Sequence, residues 1–156
     1  MLFHPRDSAY DFAGYYAPDW APYPYVLTDV LGLLLQYVLP IDDVGRCVLS
    51  VCVFSVPFAL WYFLRKAAPG NDYLSSFGFT IALNPIFLMG FVGSALSIGL
   101  GLLAIGLWVG FCRRPCARGG IAVAVGIVLD YLAHLADFAV IGIVMEVYSL
   151  VNSKPV

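Results

Sequence analysis

Polar and apolar positions along this chain segregate into long blocks rather than alternating with a short period. Residues Met1 to Pro24 interleave aromatic, acidic and proline residues, as in Asp11-Phe12, Tyr15-Tyr16, Pro18-Asp19-Trp20 and Pro22-Tyr23-Pro24. This stretch is too polar to span a bilayer, and its Tyr and Trp suit headgroup depth, so an interfacial segment is expected. Val26 to Leu39 follows as an apolar run in which Thr28, Gly32 and Gln36 recur at helical spacing beside Asp29. As a helix it would be about 21 Å long, amphipathic and short of a crossing, so it should lie in the interface or re-enter the bilayer against protein. Pro40 ends it.

The remaining blocks predict a bundle. Cys47 to Leu64 carries no charge, is flanked by Arg46 and by Arg65-Lys66, and holds Pro57 as a kink; it is the first expected span. Tyr73 to Cys112 is also uncharged and roughly twice the length of one crossing, with Asn84-Pro85, Gly90 and Gly93 inside it. That pattern predicts a helical hairpin turning near Gly90. Gly119 to Val151 would measure about 49 Å as one helix against a hydrocarbon core of about 30 Å, so it must tilt and protrude, or break near Gly126. The expected fold is an all-α polytopic bundle of about four transmembrane helices. It divides into an outer aromatic and acidic segment (1–45, with the short helix at 26–39), the bundle (46–151) and a tail (152–156).

Composition strengthens this picture. Of 156 residues, 62% are apolar and 12% charged, with mean hydropathy +0.89, far from an ordinary soluble domain. The 8 Lys plus Arg against 10 Asp plus Glu form no basic stripe, so a nucleic-acid partner is not expected. Five of the eight basic residues lie in Arg65-Lys66 and in the Arg113, Arg114, Arg118 cluster, while the first 45 residues hold six acids and Arg6 alone. By the positive-inside rule the arginine-rich loops are cytoplasmic and the N-terminal segment is outside, in a bacterial-type inner (plasma) membrane. If the last block crosses once, the C-terminus returns to the outer side. The N-terminus lacks the basic region and apolar core of a cleavable signal, so the internal spans should direct insertion. Cys47 and Cys52 read as small buried hydrophobes, and Cys112 and Cys116 as reduced thiols of a cytoplasmic loop; neither pair has zinc-site spacing.

Three constellations carry candidate chemistry. Asp130, His134 and Asp137 fall at i, i+4 and i+7 of the last block and would share one helix face. An ionisable group at bilayer depth costs on the order of 2.5–3.5 kcal/mol, so three on one stripe should face protein, water or an ion. They could satisfy one another or pair with an arginine; functionally they suit a proton relay, a metal site, or contacts to a lipid phosphate. No fourth metal ligand is evident, so no metal is assigned. The second constellation is Gly93, Ser97 and Gly101 at four-residue spacing, continued by Gly106 and Gly110, small residues that let helices approach closely. The third is the outer segment, where Asp7, Asp11 and Asp19 stand among Tyr10, Tyr15, Tyr16, Trp20, Tyr23 and Tyr25. Its aromatic and carboxylate groups suit sugar rings as well as headgroups. No Walker, GxSxG, HExxH or dinucleotide fingerprint occurs, and no cofactor is implied.

Taken in order, Tyr15-Tyr16, Asp19-Trp20, the short helix with Asp29, Leu39-Pro40 and Gly45-Arg46 are followed by Asn84-Pro85-Ile86-Phe87-Leu88-Met89-Gly90-Phe91, a small-residue helix, and Tyr131-Leu132-Ala133-His134. This order resembles the early transmembrane region of the GT-C superfamily, polytopic glycosyltransferases that use polyprenyl-phosphate sugars. The resemblance covers roughly residues 15–145. Members typically begin with a transmembrane helix followed by an outward-facing catalytic aspartate, and Asp7 or Asp11 is the candidate remnant of that residue. They also use many more helices to build the donor site. The resemblance therefore implies a fragment, a split subunit completed by another chain, or a shortened relative kept as a scaffold.

The resulting expectation is an accessory or structural subunit of a larger membrane complex, not catalytic on its own. Its expected partners are membrane lipids, other membrane-protein subunits and, through the resemblance, a polyprenyl-phosphate lipid. Two alternatives stand beside it: half of a split polyprenyl-phosphate-dependent glycosyltransferase, and a proton or ion pathway centred on Asp130, His134 and Asp137.

Overall fold

A computed structural model describes residues 23–152, and all regular structure among them is helical. The elements are α1 (Val26–Gln36), α2 (Ile41–Ala67), a 3-10 turn (Asp72–Phe77), α3 (Gly78–Ala82), α4 (Pro85–Leu88), α5 (Val92–Arg113), α6 (Ala117–Ala133) and α7 (Leu135–Asn152). Helices α2, α5 and α7 are long and apolar enough to cross a membrane. The chain is thus an all-α integral membrane protein. Asp7, Asp11 and most of the outer aromatic segment lie outside the described residues.

Helix α2 opens at Ile41, ahead of Arg46, because Pro40 is extended and Asp42 and Asp43 occupy the first turn, where the positive end of the helix dipole favours carboxylates. Arg65 and Lys66 complement the opposite end, where the Arg65 guanidinium sits 4.9 Å over the Trp61 ring. Pro57 lies within the helix without ending it.

The expected hairpin turns at Gly90, whose φ of +93° suits glycine. Its first limb, however, is a chain of short turns rather than one helix. Asn84 is the principal reason: it is extended before Pro85, its Oδ1 accepts from Phe87 N at 2.9 Å, and its Nδ2 donates to Ile81 O at 3.1 Å. The amides of Leu83, Leu88, Met89, Gly90 and Phe91 all donate to nearby carbonyls, so this irregular backbone keeps its hydrogen bonds at membrane depth. The limb runs back along α2, with Gly78 against Pro57 and the Phe79 ring edge-on to Phe54 at 5.6 Å.

Helix α5 is the centre of the molecule, packing on α1, α2, α4, α6 and α7. Half of its most apolar stretch is buried (50%), against 11% for α7, which is peripheral. Gly99 faces Ser55 and Gly106 faces Tyr62 and Phe63, so α2 and α5 run parallel. Their basic ends, Arg65-Lys66 and Arg113-Arg114, therefore lie together. Helix α6 runs the other way, with Gly119 beside Phe111, Gly126 beside Ala104, and Ala133 O beside Gly93.

The last block does not cross once, and it does not break at Gly126. It reverses at His134, which is extended (φ −163°, ψ 120°) between α6 and α7. Helix α7 then returns along α5, with Asp137 beside Ser94, Ile141 beside Gly101, and Ser149 beside Trp108. Asn152 accordingly lies at the basic end, opposite to where a single crossing would leave it. The physical reason is packing: Gly126 is held in α6 by close contact with Ala104, 3.3 Å from where its Cβ would stand, whereas His134 sits where the bundle ends.

Two apolar layers hold the bundle. Near the start of α5, Val44, Val48, Cys52, Ala95 and Leu96 pack under Leu27, Leu31 and Leu35 of α1. Toward the basic end, Ala104, Ile105, Val109, Val123, Ile141 and Met145 join α5, α6 and α7. Between helices in lipid, such packing does the work that water exclusion does in a soluble core.

Candidate functional site

The break at His134 and the small residues of α5 build one site. Smallness at Gly93 brings α6 close: a Cβ there would stand 3.1 Å from Ala133 O. Gly101 leaves room for Ile141, and its Cβ position is 3.7 Å from Asp130 Oδ1. Between these two glycines, Ser97 Oγ donates to Asp130 Oδ1 at 2.6 Å, within a fully buried pair. One turn earlier, Ser94 Oγ donates to Asp137 Oδ2 at 3.2 Å. The acidic stripe and the small-residue helix, separate features in the sequence, are thus the two walls of one polar seam.

Because the helix breaks, Asp130, His134 and Asp137 do not share a continuous helix face as their spacing predicted. Asp130 points from α6 into the bundle, and Asp137 reaches back from the first turn of α7. His134 Nδ1 stands 3.2 Å from Asp137 Oδ2, near enough to pair when protonated, but without hydrogen-bond geometry. Asp130 Oδ2 is likewise buried without a partner. Among the described residues no group of three His, Cys, Asp or Glu is arranged to hold a metal ion.

Tyr25 closes the mouth of the seam. Its ring meets His134 edge-on at 4.8 Å, and its backbone is left-handed at φ +81°, the one such non-glycine among the described residues. A bulky residue in that region costs of order 1–3 kcal/mol, strain that gathers at functional sites.

The seam is shallow. Ser97 is five residues into α5, about 8 Å from its start, and the layer of Ala104, Ile105 and Val109 closes the way beyond. Of the remaining small residues, Gly106 receives Tyr62 of α2, and Gly110 has nothing within 4 Å of its Cβ position. Ser94 and Tyr25 were not singled out from sequence as members of this site. Ser94 carried a signal, standing one turn before Ser97 on the same helix, whereas the role of Tyr25 depends on a backbone conformation that no sequence pattern announces.

Replacing Ser97 with Ala should leave Asp130 with neither oxygen bonded. Interhelical bonds in membranes average about 0.6 and reach about 1.7 kcal/mol. The short, buried Ser97 bond belongs at the upper end, so thermal unfolding in detergent should show a loss of about 1–2 kcal/mol, with Ser94→Ala costing less.

No family model matches the chain, and comparison with curated proteins and with solved structures gave no match.

Proposed function

We propose that this protein is a small helical subunit of a larger membrane assembly, completed at its polar seam by a group from outside the described bundle. The observation that carries the reading is Asp130 Oδ2, a carboxylate oxygen buried with no partner. Such an atom is costly unless something supplies a donor. Among the described residues, Arg46 in the first turns of α2 is exposed and lies 3.4 Å from Asp43 instead.

The clustering of Arg65, Lys66, Arg113 and Arg114 at one end supports a cytoplasmic assignment for that end in a plasma-type membrane, with the seam opening outward. A through-going proton or ion path finds less support, since the polar side chains stop at the apolar layer beyond Ser97. The split-glycosyltransferase reading keeps one support: the seam's mouth, with Asp137 and His134, lies at the end where an outward-facing lipid-linked sugar would present its hydroxyls. Its acids suit hydroxyl groups better than a phosphate.

Native mass spectrometry of the protein, extracted gently from its own membrane, tests the assembly reading. The expected result is a defined hetero-complex. A lone monomer would overturn the proposal.

A further inference from the structure

Phe54, Phe58, Trp61 and Arg65 follow one another along α2 at spacings of four, three and four, so they form a single stripe on the helix, and all four are exposed. The three aromatic rings, with Ser75 and Phe79 of the return limb opposite, line a groove of about 440 Å³. At its inner end the Phe54 and Phe79 rings meet edge-on. Its other end opens toward the basic end of the bundle, where Arg65 lies over the Trp61 ring. Ser75 stands on the facing wall, one turn nearer that end than Gly78, and its Oγ makes no hydrogen bond among the described residues.

The depth of Arg65 follows from the sequence. The charge-free part of α2, residues 47–64, is about 27 Å long as a helix, close to a hydrocarbon thickness of about 30 Å, so Arg65 stands where hydrocarbon meets headgroups. An arginine there ordinarily snorkels outward into water. This one does the reverse. Helical side chains lean toward the helix N-terminus, and on α2 that direction leads back over Trp61, along the groove. A ring face stabilises a cation without cancelling its charge. Among the described residues no carboxylate lies within ion-pair reach of Arg65, and Asp72, which opens the adjoining turn, pairs with no cation.

We infer that this groove holds an acyl chain of an anionic phospholipid from the leaflet at the basic end, with the lipid phosphate against Arg65 and the Ser75 hydroxyl as a second donor. Charge selects the headgroup: an unpaired guanidinium at the boundary of the hydrocarbon calls for an anion, and basic pockets between transmembrane helices bind anionic headgroups in this way. Size selects the chain. The groove has the volume of about one turn of a helix 10 Å across, too little to seat a transmembrane helix. A flexible hydrocarbon chain fits between its ring faces, and the cation stands at the end where such a chain would carry its phosphate.

The groove is built from α2 and the return limb alone and does not depend on the assembly reading. Its test uses the full chain with Trp20→Phe and Trp108→Phe, which leave Trp61 as the sole tryptophan. The protein is placed in phosphatidylcholine vesicles in which a rising share of lipid is phosphatidylglycerol, or phosphatidylcholine, with brominated acyl chains; bromine quenches a tryptophan that it touches. The phosphatidylglycerol should occupy the site about fivefold more strongly, the factor that one basic residue near an anionic headgroup supplies. Arg65→Gln should bring the two lipids level. Lys66→Gln should leave the preference intact, because the Lys66 ammonium lies over Tyr62 instead. Native mass spectrometry of the unmodified chain carrying either lipid gives the same comparison without the Phe replacements. Equal quenching by the two lipids, or a preference that survives Arg65→Gln, overturns the inference. So does an equal loss in Lys66→Gln, which would mean attraction to surface charge alone. Relief of the quenching by soluble glycerol phosphate would make the ligand a free anion, and relief on raising the protein-to-lipid ratio would make it a second copy of the chain; either result also overturns it.

Discussion

A cysteine placed at Asn152 should react with a membrane-impermeant maleimide from the same side as the native Cys112 and Cys116, and from that side only. The two native thiols are exposed, Cys112 in the last turn of α5 and Cys116 just before α6, and mark the basic end of the bundle. Cys52 is buried and adds little background, while the half-buried Cys47 and, in the Asn152→Cys and Tyr37→Cys variants, Cys112 and Cys116 are replaced by Ser so that a single thiol reports each side. The prediction follows from the reversal at His134: α7 runs parallel to α5, as the Asp137 to Ser94 and Trp108 to Ser149 contacts require. Tyr37→Cys, in the exposed turn between α1 and α2, should label from the opposite side. The outcome is all-or-none. Labelling of Asn152→Cys together with Tyr37→Cys would mean that α6 and α7 form one continuous crossing, and the seam as described would not exist.

The largest expected loss of stability lies at Gly78. A Cβ there would stand 2.5 Å from Pro57 Cα, 2.8 Å from its N and 2.9 Å from its Cβ. These are atoms of a helix backbone and a closed ring, none of which can rotate away. At Gly101, by contrast, the obstructing atoms belong to the flexible end of Ile141. Overpacking costs about 1–3 kcal/mol and more where the neighbours cannot yield, so Gly78→Ala should cost about 2 kcal/mol and Gly78→Val on the order of 3 kcal/mol. Gly45→Ala is the control, since it lies within α2 with nothing within 4 Å of its Cβ position. That change should be neutral or stabilising by up to about 1 kcal/mol from helix propensity alone. Thermal unfolding of the three variants in one detergent compares them. Equal melting of Gly78→Val and wild type would show that the return limb is not docked on α2.

The helical class and the positions of α1, α2 and α5 could be read from the sequence because they depend on block hydrophobicity and on Pro40, Arg65-Lys66 and Arg113-Arg114, which act locally. The turn at Gly90 was legible for the same reason. The fragmentation before it was half visible: Asn84-Pro85 was seen as an interruption, but not that both ends of the Asn84 side chain bond to backbone and fix two separate turns. The break at His134 was hidden. Helical spacing of Asp130, His134 and Asp137 continues across it, and neither Gly nor Pro marks the site. What decides the break is the end of the bundle, a tertiary property. Ser97 was legible as a small residue at a helix contact, yet its bond to Asp130 is a separate matter, because spacing within one helix says nothing of which residue on another helix faces it.

The parallel pairing of α2 with α5 has a consequence for biosynthesis. The face of α2 that bears Val48, Cys52 and Ser55 receives its main cover from a helix completed at Arg113, roughly 46 residues after Ala67, which corresponds to about 2–9 s of translation at 5–20 residues per second. During that interval α2 stands in the membrane with only α1 and the short return limb beside it. An insertase or chaperone that shelters small-residue and serine-bearing helix faces would therefore meet this chain early, and slowing synthesis between Ala67 and Arg113 should lengthen that encounter.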